Sequence, residues 1–233
     1  NLIQAGKKVV AMVAPATEGQ FGPDITMASW RTALKKTGFA DMVEVGLGGD
    51  MTAAYEADEW MEAYKEGKKL TTSCCPAFAN MIKKHFPMLL DNMSTTVSPM
   101  CAVSRLLKAM DPETITVFIG PCLSKKAEAD AYAGAIDCVL TFEELTGWLK
   151  EENIEVCPVS DNAGRSDRAK TRLYPTTSGI LRSMNKDNPE YLYMAIDGVE
   201  NCRNALRDII DGNVGKCFIE MSACVNSCIG GPA

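Results

Sequence analysis

The sequence predicts an α/β protein of two lobes, each a mostly parallel or mixed sheet flanked by helices. Three observations carry that expectation. Short apolar runs of strand length (KKVVAMVA at 7–14, KLTTSCC at 69–75, ITVFI at 115–119, YLYMAI at 191–196) alternate with segments of helical period, the order that builds parallel sheets. A polar stretch, DNMSTTVSP at 91–99, interrupts the alternation. After it the strand–helix pattern starts again. The expected division is an N-terminal lobe over 1–98, a second lobe over 99–215 and a C-terminal segment over 216–233 that closes the site.

Each element has a local reason. KKVVAMVA is a continuous apolar run suited to a buried strand and stops at Ala14-Pro15-Ala16, where Pro15 enforces an extended or turning backbone. Asp24 is placed as the cap of a helix ending near Lys36, with Trp30 and Leu34 on one face. MVEVGLGGD at 42–50 reads as a strand and a turn, and Asp50 opens a helix to about Glu66 that carries Glu56 and Glu59 one turn apart. Pro76 ends the strand KLTTSCC and suits the first turn of the helix AFANMIKKHF. Beyond 99 come a helix to 110, the strand ITVFI, the Gly120-Pro121-Cys122 break, a short helix, the strand CVLTF at 138–142 and a helix over 143–153. Residues 157–175, with Arg165, Arg168, Lys170 and Arg172 among small polar residues, read as a mobile surface loop whose charge is a solvated face. TTSGILRSM starts a helix, 199–211 is helical, and an apolar strand runs from Lys216 to Met221.

Composition excludes several function classes. A chain of 233 residues with 46% apolar and 23% charged residues can bury a sizeable core. No run of about 18 apolar residues is long enough to span a membrane. The N-terminus lacks the pattern of a signal peptide, and its missing Met is expected of a processed or trimmed piece of something longer. The net charge of −6 gives no electrostatic case for nucleic acid. Ten cysteines are many. Cys101, Cys138, Cys157, Cys202 and Cys217 are read as buried thiols acting as small hydrophobes, which implies a reducing, cytoplasmic setting.

The remaining cysteines carry chemistry. Cys75, Cys122 and the pair Cys224/Cys228 each follow an apolar strand directly or lie just beyond one. Carboxyl ends of strands face the ligand crevice in open α/β sheets, so four thiolates are expected to converge in a cleft between the lobes. A helical turn would bring Cys224 and Cys228 onto one face, and small residues around them leave room for a bulky group. Four sulfurs suit a tetrahedral zinc or an iron–sulfur cluster, and neither paired C-x2-C knuckles nor the compact ferredoxin spacing is present. No phosphate-binding or dinucleotide glycine motif occurs. The single histidine, His85, reads as a surface residue, so Cys-His and Ser-His-Asp hydrolases are set aside.

Three stretches, TSCCPAF (72–78), GPCLSKKAE (120–128) and EMSACVNSCIGG (220–231), closely resemble the catalytic domain of the FeFe hydrogenases. That family carries TSCCP-x-W, then M-P-C-x-x-K-x-x-E, then E-x-M-x-C-x-x-G-C-x-x-G-G-G-Q-P. The order matches, the Ala14-Pro15-Ala16 turn matches too, and the Phe of TSCCPAF resembles a less studied, compact subgroup. The resemblance implies an anaerobic oxidoreductase that splits and forms dihydrogen reversibly and heterolytically. It implies that Cys75, Cys122, Cys224 and Cys228 hold a 4Fe-4S cluster, bridged by Cys228 to a two-iron unit with CO, cyanide and azadithiolate ligands. It further implies cofactor contacts from Ala14, Pro15 and Lys125, with Lys125 donating to a cyanide, and a proton relay of Cys74, Glu56, Ser94 and Glu59. The partners it implies are a ferredoxin-like electron carrier or attached iron–sulfur module, and maturation proteins. A hydrogen-sensing relative and a non-enzymatic iron–sulfur assembly relative are the alternatives. Departures are Gly120 and Ser222 where the family has Met, Met100 where Gln is common, and Asn226-Ser227 for the usual x-Gly.

Overall fold

The computed structural model describes residues 2–160, 170–184 and 192–232. Two compact units emerge, and both are discontinuous in the chain: Asn1–Leu47 with Met100–Ala169 and Pro232–Ala233, and Gly48–Pro99 with Lys170–Gly231. The expected boundaries at 98 and 215 are therefore corrected. The reason lies in strand pairing. A strand as apolar as β1 (Val9–Val13), buried along its whole length, needs a partner on each edge.

In the first unit β1 pairs in parallel with β2 (Asp41–Glu44) and with β4 (Ile115–Gly120), which lies far beyond residue 98. β4 in turn pairs in parallel with β5 (Cys138–Thr141), giving the order β2-β1-β4-β5. Helix α1 (Met27–Lys36) buries Trp30 and Leu34 as expected. Its cap is Thr26, whose hydroxyl accepts from the Ser29 N–H at 3.3 Å, rather than Asp24. Helix α4 (Pro99–Met110), α5 (Ser124–Ala131) and α6 (Phe142–Glu151) complete the unit. A core of Ala11, Val13, Trp30, Leu34, Ile119 and Leu145 fills one face of this sheet.

The second unit is built on three parallel strands in the order β3-β7-β6: β3 (Leu70–Thr71), β7 (Cys217–Ser222) and β6 (Leu192–Asp197). One face packs on α3 (Pro76–His85) and α8 (Val199–Ile210) through Phe78, Ile82, Leu206, Ile219 and Met221. The other packs on α2 (Gly46–Lys65) and α7 (Gly179–Ser183) through Trp60, Leu181 and Phe218. The GLGGD segment is the first turn of α2, not a loop, so the helix begins at Gly46 instead of Asp50. Three of those five residues are glycines, whose poor helix propensity hides a helix start that tertiary packing supports. Arg165 and Arg168 lie outside the described residues, and Lys170–Leu173 form a 3-10 turn. No helix among the described residues is long and apolar enough to cross a membrane.

Helix α7 starts where the chain passes close to itself. A Cβ on Gly179 would stand 1.9 Å from the Leu173 carbonyl oxygen. Gly179→Ala is expected to lower stability by about 1–3 kcal/mol, measured by urea unfolding of the unmatured protein. An unchanged midpoint would show that the 173–179 turn yields without cost.

Candidate metal centre and acid line

The sulfur-bearing edge of the second unit follows from register. Leu70 and Thr71 stand opposite Phe218 and Ile219 in parallel, so Cys75, four residues past Thr71, and Cys224, five past Ile219, both lie beyond the carboxyl end of the sheet. Extended backbone sends neighbouring side chains to opposite faces. Cys75 packs against the Ile219–Met221 face and Cys74 against the Trp60–Phe218 face. Cys75 is also the N-cap of α3, directly before Pro76. Burial, with the Cys75 sulfur as a neighbour, pushes the Cys202 thiol up to about 12, so Cys202 stays a neutral core thiol that bonds the Ser222 carbonyl at 3.4 Å.

The Cys224–Cys228 segment is not α-helical, which corrects the expected helical turn. Asn226 and Ser227 are left-handed (φ 62° and 57°), and a 3-10 turn spans Ser227–Gly230. Polar groups pin this loop. Ser222 and Ser227 hydroxyls meet at 2.7 Å, and the Asp197 carboxylate accepts from the Asn226 N–H at 3.1 Å and the Thr177 hydroxyl at 2.6 Å. A Cβ on Gly230 would stand 1.9 Å from the Val225 carbonyl. Cys224 is half-buried and Cys228 exposed.

Behind Cys74 lies a line of acids. Glu56 is 1% exposed and accepts the Ser73 N–H at 3.2 Å. The Ser94 hydroxyl is within hydrogen-bonding reach of Glu56 and donates to Glu59 at 2.5 Å. Glu59 also accepts from the Thr95 N–H at 3.0 Å, the Thr96 hydroxyl at 3.0 Å and the Thr95 hydroxyl. Burial pushes Glu56 up to about 8, against the bond donated by the Ser73 N–H and the contact with Ser94, with the Glu59 and Glu220 charges adding to the rise. For Glu59 burial works upward too, but the bonds from Ser94, Thr95 and Thr96 outweigh it and hold the carboxyl below its usual range.

A buried glutamate and a half-buried tyrosine stand here beside the expected residues. Glu220 is 4% exposed, is raised by burial and accepts the Leu181 N–H at 3.0 Å at the start of α7. Tyr174, raised by burial and by the neighbouring Cys74, Glu56 and Glu220, donates to the Gly49 carbonyl at 3.1 Å. A glutamate inside the apolar run CFIEMS was the available signal for the first; Tyr174 had none.

The first unit holds the other predicted residues. Cys122, half-buried, follows β4, and its carbonyl accepts the Lys125 N–H at 3.3 Å. The Lys125 ammonium is buried and pairs with Glu128 at 2.6 Å, while the Cys101 thiol donates to the same carboxylate at 3.6 Å. Ala14 and Pro15 begin a 3-10 turn at the end of β1. Thr17 in that turn is fully buried, and its hydroxyl has no partner among the described residues.

None of the ten cysteines forms a disulfide. Among the described residues no three His, Cys, Asp or Glu side chains are close enough to hold a single metal ion. A cubane cluster takes each thiolate on a different iron, so its ligands stand farther apart than those of a mononuclear zinc. In the second unit the donors are cysteine sulfurs just past the carboxyl ends of β3 and β7, a chemistry that suits an iron–sulfur group.

Residues 7–232 match the model of the iron-only hydrogenase large subunit, C-terminal domain. The chain belongs to this family. Iron hydrogenase 1 of Clostridium pasteurianum is 25% identical over 292 residues, covering 99% of this chain and 51% of that protein. The cytosolic Fe-S cluster assembly factor NAR1 of Meyerozyma guilliermondii is 27% identical over 158 residues, covering 60% of this chain and 30% of that protein. The chain thus spans about half the length of the first of these relatives or less. The fold is similar to that of HydA(deltaEFG), an FeFe-hydrogenase, with a TM-score of 0.77 at 20% identity over 97% of this chain and 79% of that one. HydA1 from Chlamydomonas reinhardtii gives 0.77 at 19% identity, covering 97% and 79%. The two-sheet parallel α/β architecture is therefore the iron-only hydrogenase fold.

Burial thus favours the protonated form of Glu56 near neutral pH. The folded protein binds its proton more tightly than the unfolded chain does. The stability it contributes is fully present below the unfolded carboxyl range, about pH 4.3, and is lost as the pH rises toward about 8. The thermal midpoint of the unmatured protein should fall across that window, and Glu56→Gln should flatten the fall. An equal slope in the variant would show that Glu56 is ionised.

Proposed function

We propose that this chain is the catalytic domain of an FeFe hydrogenase, exchanging protons and electrons with dihydrogen by reversible heterolytic cleavage. Cys75, Cys122, Cys224 and Cys228 would hold a 4Fe-4S cluster, and Cys228 would also hold the two-iron unit with its CO, cyanide and azadithiolate ligands. When bound, that unit would supply a metal to polarise dihydrogen and an amine base. Ala14, Pro15 and Lys125 would bind the unit, with the Lys125 ammonium, paired with Glu128 at 2.6 Å, available to a cyanide. Electrons pass to a ferredoxin-like carrier or an attached iron–sulfur module, maturation proteins install the two-iron unit, and the setting is an oxygen-poor cytoplasm.

The observation that carries the reading is the acid line. Cys74 lies on the α2 face of the sheet, where a thiol can give and take a proton without ligating iron. Glu56, neutral at pH 7, passes a proton to the Ser94 oxygen as the Ser94 hydroxyl gives its own to Glu59. Glu59, ionised and half-buried, exchanges with water. The order neutral acid, hydroxyl, carboxylate is the one a proton needs to move outward.

The similarity to NAR1 keeps the assembly-factor reading in view. Retention of Cys74 and Lys125 favours the enzyme, and retention of Cys74 also argues against a hydrogen sensor. The test is anaerobic maturation followed by infrared spectroscopy and hydrogen evolution with a chemical reductant. CO and cyanide bands and turnover are expected; their absence, with a 4Fe-4S chromophore present, would assign the chain to the assembly relatives. Cys74→Ala should keep the bands and cut turnover per cofactor roughly 10²–10⁴-fold, and Cys74→Asp should recover part of it. Cys228→Ser should lose the bands.

A further inference from the structure

The loop that carries Cys224 and Cys228 has little apolar packing to hold it. Val225 is 64% exposed, Ile229 is 54% exposed, and Cys228 is exposed as well. Its backbone includes two left-handed residues, Asn226 and Ser227, a conformation that costs energy outside glycine. Its own turns are short: the Ser227 N–H bonds the Cys224 carbonyl at 3.0 Å and the Gly231 N–H bonds the Cys228 carbonyl at 3.0 Å. Bonds from other segments must therefore fix its place. The Ile229 N–H reaches the Pro175 carbonyl at 3.1 Å, and the Asn226 N–H reaches the Asp197 carboxylate at 3.1 Å. Asn226 stands midway between the two cysteines, two residues from each.

Asp197 ends β6, opposite Ser222 at the last rung of the β6–β7 ladder. An acid just before a helix has a local use, capping the N-terminus of α8. The side chain is not used that way. The N-cap of α8 is Gly198, which has no side-chain cap, and the Asn201 amide bonds the main-chain carbonyl of Asp197 at 2.9 Å. The carboxylate instead serves partners far along the chain: its Oδ2 accepts both the Thr177 hydroxyl at 2.6 Å and the Asn226 N–H at 3.1 Å. Thr177 in turn lies 3.4 Å from the Ser227 hydroxyl, which meets Ser222 at 2.7 Å. One oxygen thus ties the end of β6 and the segment before α7 to the ligand loop. It also sets a negative charge beside that loop, where reduction of a bound cluster adds another. We propose that Asp197 is a positioning residue for Cys224 and Cys228, fixing the loop between them, and that its charge favours the oxidised form of the cluster they hold. This rests on the 4Fe-4S reading above.

The test uses the chain with its 4Fe-4S cluster reconstituted from iron and sulfide, without the two-iron unit, and two variants that separate the tie from the charge. Asp197→Asn keeps an oxygen that can accept both bonds and loses the charge; Asp197→Ala loses both. In a redox titration followed by electron paramagnetic resonance, Asp197→Asn should hold wild-type iron. Its ratio of reduced to oxidised cluster at a fixed potential should rise at least about threefold. Glu200→Gln, at an exposed acid in the first turn of α8, makes the same change in net charge and should leave the ratio within about 1.5-fold, because solvent and salt screen it. Asp197→Ala should lose its cluster to a chelator at least about tenfold faster than the wild type. Thr177→Val, which removes one of the two donors, should lose it faster by a smaller factor, and decides the matter if the alanine variant does not fold. A wild-type ratio in Asp197→Asn, or an equal rise in Glu200→Gln, would overturn the role of the charge. Wild-type cluster retention in Asp197→Ala, or in Thr177→Val where it stands in, would overturn the positioning role. Failure of the wild type itself to take up a 4Fe-4S cluster would instead overturn the cluster reading, and this proposal with it.

Discussion

The parallel pairing of β3 with β7 is the constraint on which the second unit depends. β3 has only two ladder residues, so the chain from Thr72 to Cys75 must be held extended by other means. The Thr72 N–H bonds the Ile219 carbonyl at 3.0 Å and the Thr72 hydroxyl takes the Met221 N–H at 3.1 Å. Ser73 is fixed from both ends, its N–H on Glu56 and its hydroxyl on the Thr96 carbonyl at 2.5 Å. Pro76 then starts α3 without needing a donor partner. With the backbone extended, Cys74 and Cys75 fall on opposite faces. Two adjacent thiols thereby acquire different neighbours and different chemistry.

The same restraint explains why two glutamates one turn apart on α2 titrate in opposite directions. Glu56 is among the groups that hold the Ser73 backbone, and its burial outweighs the hydrogen bonds it receives. Glu59 faces the 94–96 segment, where three side chains and a backbone N–H donate to one carboxylate. Charged hydrogen bonds of this number overcome desolvation where one or two do not. Ser94 lies between the two, and its own N–H is tied to the Thr71 carbonyl at 2.8 Å. Position along the helix places the acids; the loop that follows α3 decides which one keeps its proton.

Much of this was legible in the residues. The strands at 9–13 and 115–120, the Pro76 start of α3 and the buried Trp30 and Leu34 follow from apolar runs, proline geometry and helical period. Local patterns did not reveal which strands pair, because a crossover from β1 to β4 leaves no mark on either strand. The α2 start was hidden by glycines, and the left-handed Asn226–Ser227 step by a spacing that suits a helix. Glu56, Ser94 and Glu59 were reached only through a resemblance to a known family, since two glutamates on a helix carry no local sign of being buried. Glu220 and Tyr174 escaped for the complementary reason: their roles depend on helices α2 and α7 arriving from distant parts of the chain.

At two of the departures from the family motif, neighbouring side chains fill the space or supply a bond. Gly120 replaces a long side chain, and the space it leaves is taken by a ring: a Cβ there would meet Phe118 at 2.8 Å and the Ala14 Cβ at 3.0 Å. The ring, two residues back on the same face of β4, leans over Gly120 and is itself 4% exposed. Ser222 likewise loses a thioether, and its hydroxyl finds Ser227, which stands where the motif has glycine. A buried hydroxyl without a partner would cost about 1–3 kcal/mol, so each serine supplies the reason for the other. Ser227 has φ 57° at a position where glycine would be unstrained, and the bond to Ser222 offsets that strain. Restoring one family residue alone would therefore remove a partner or create a clash, and these positions are to be read as pairs.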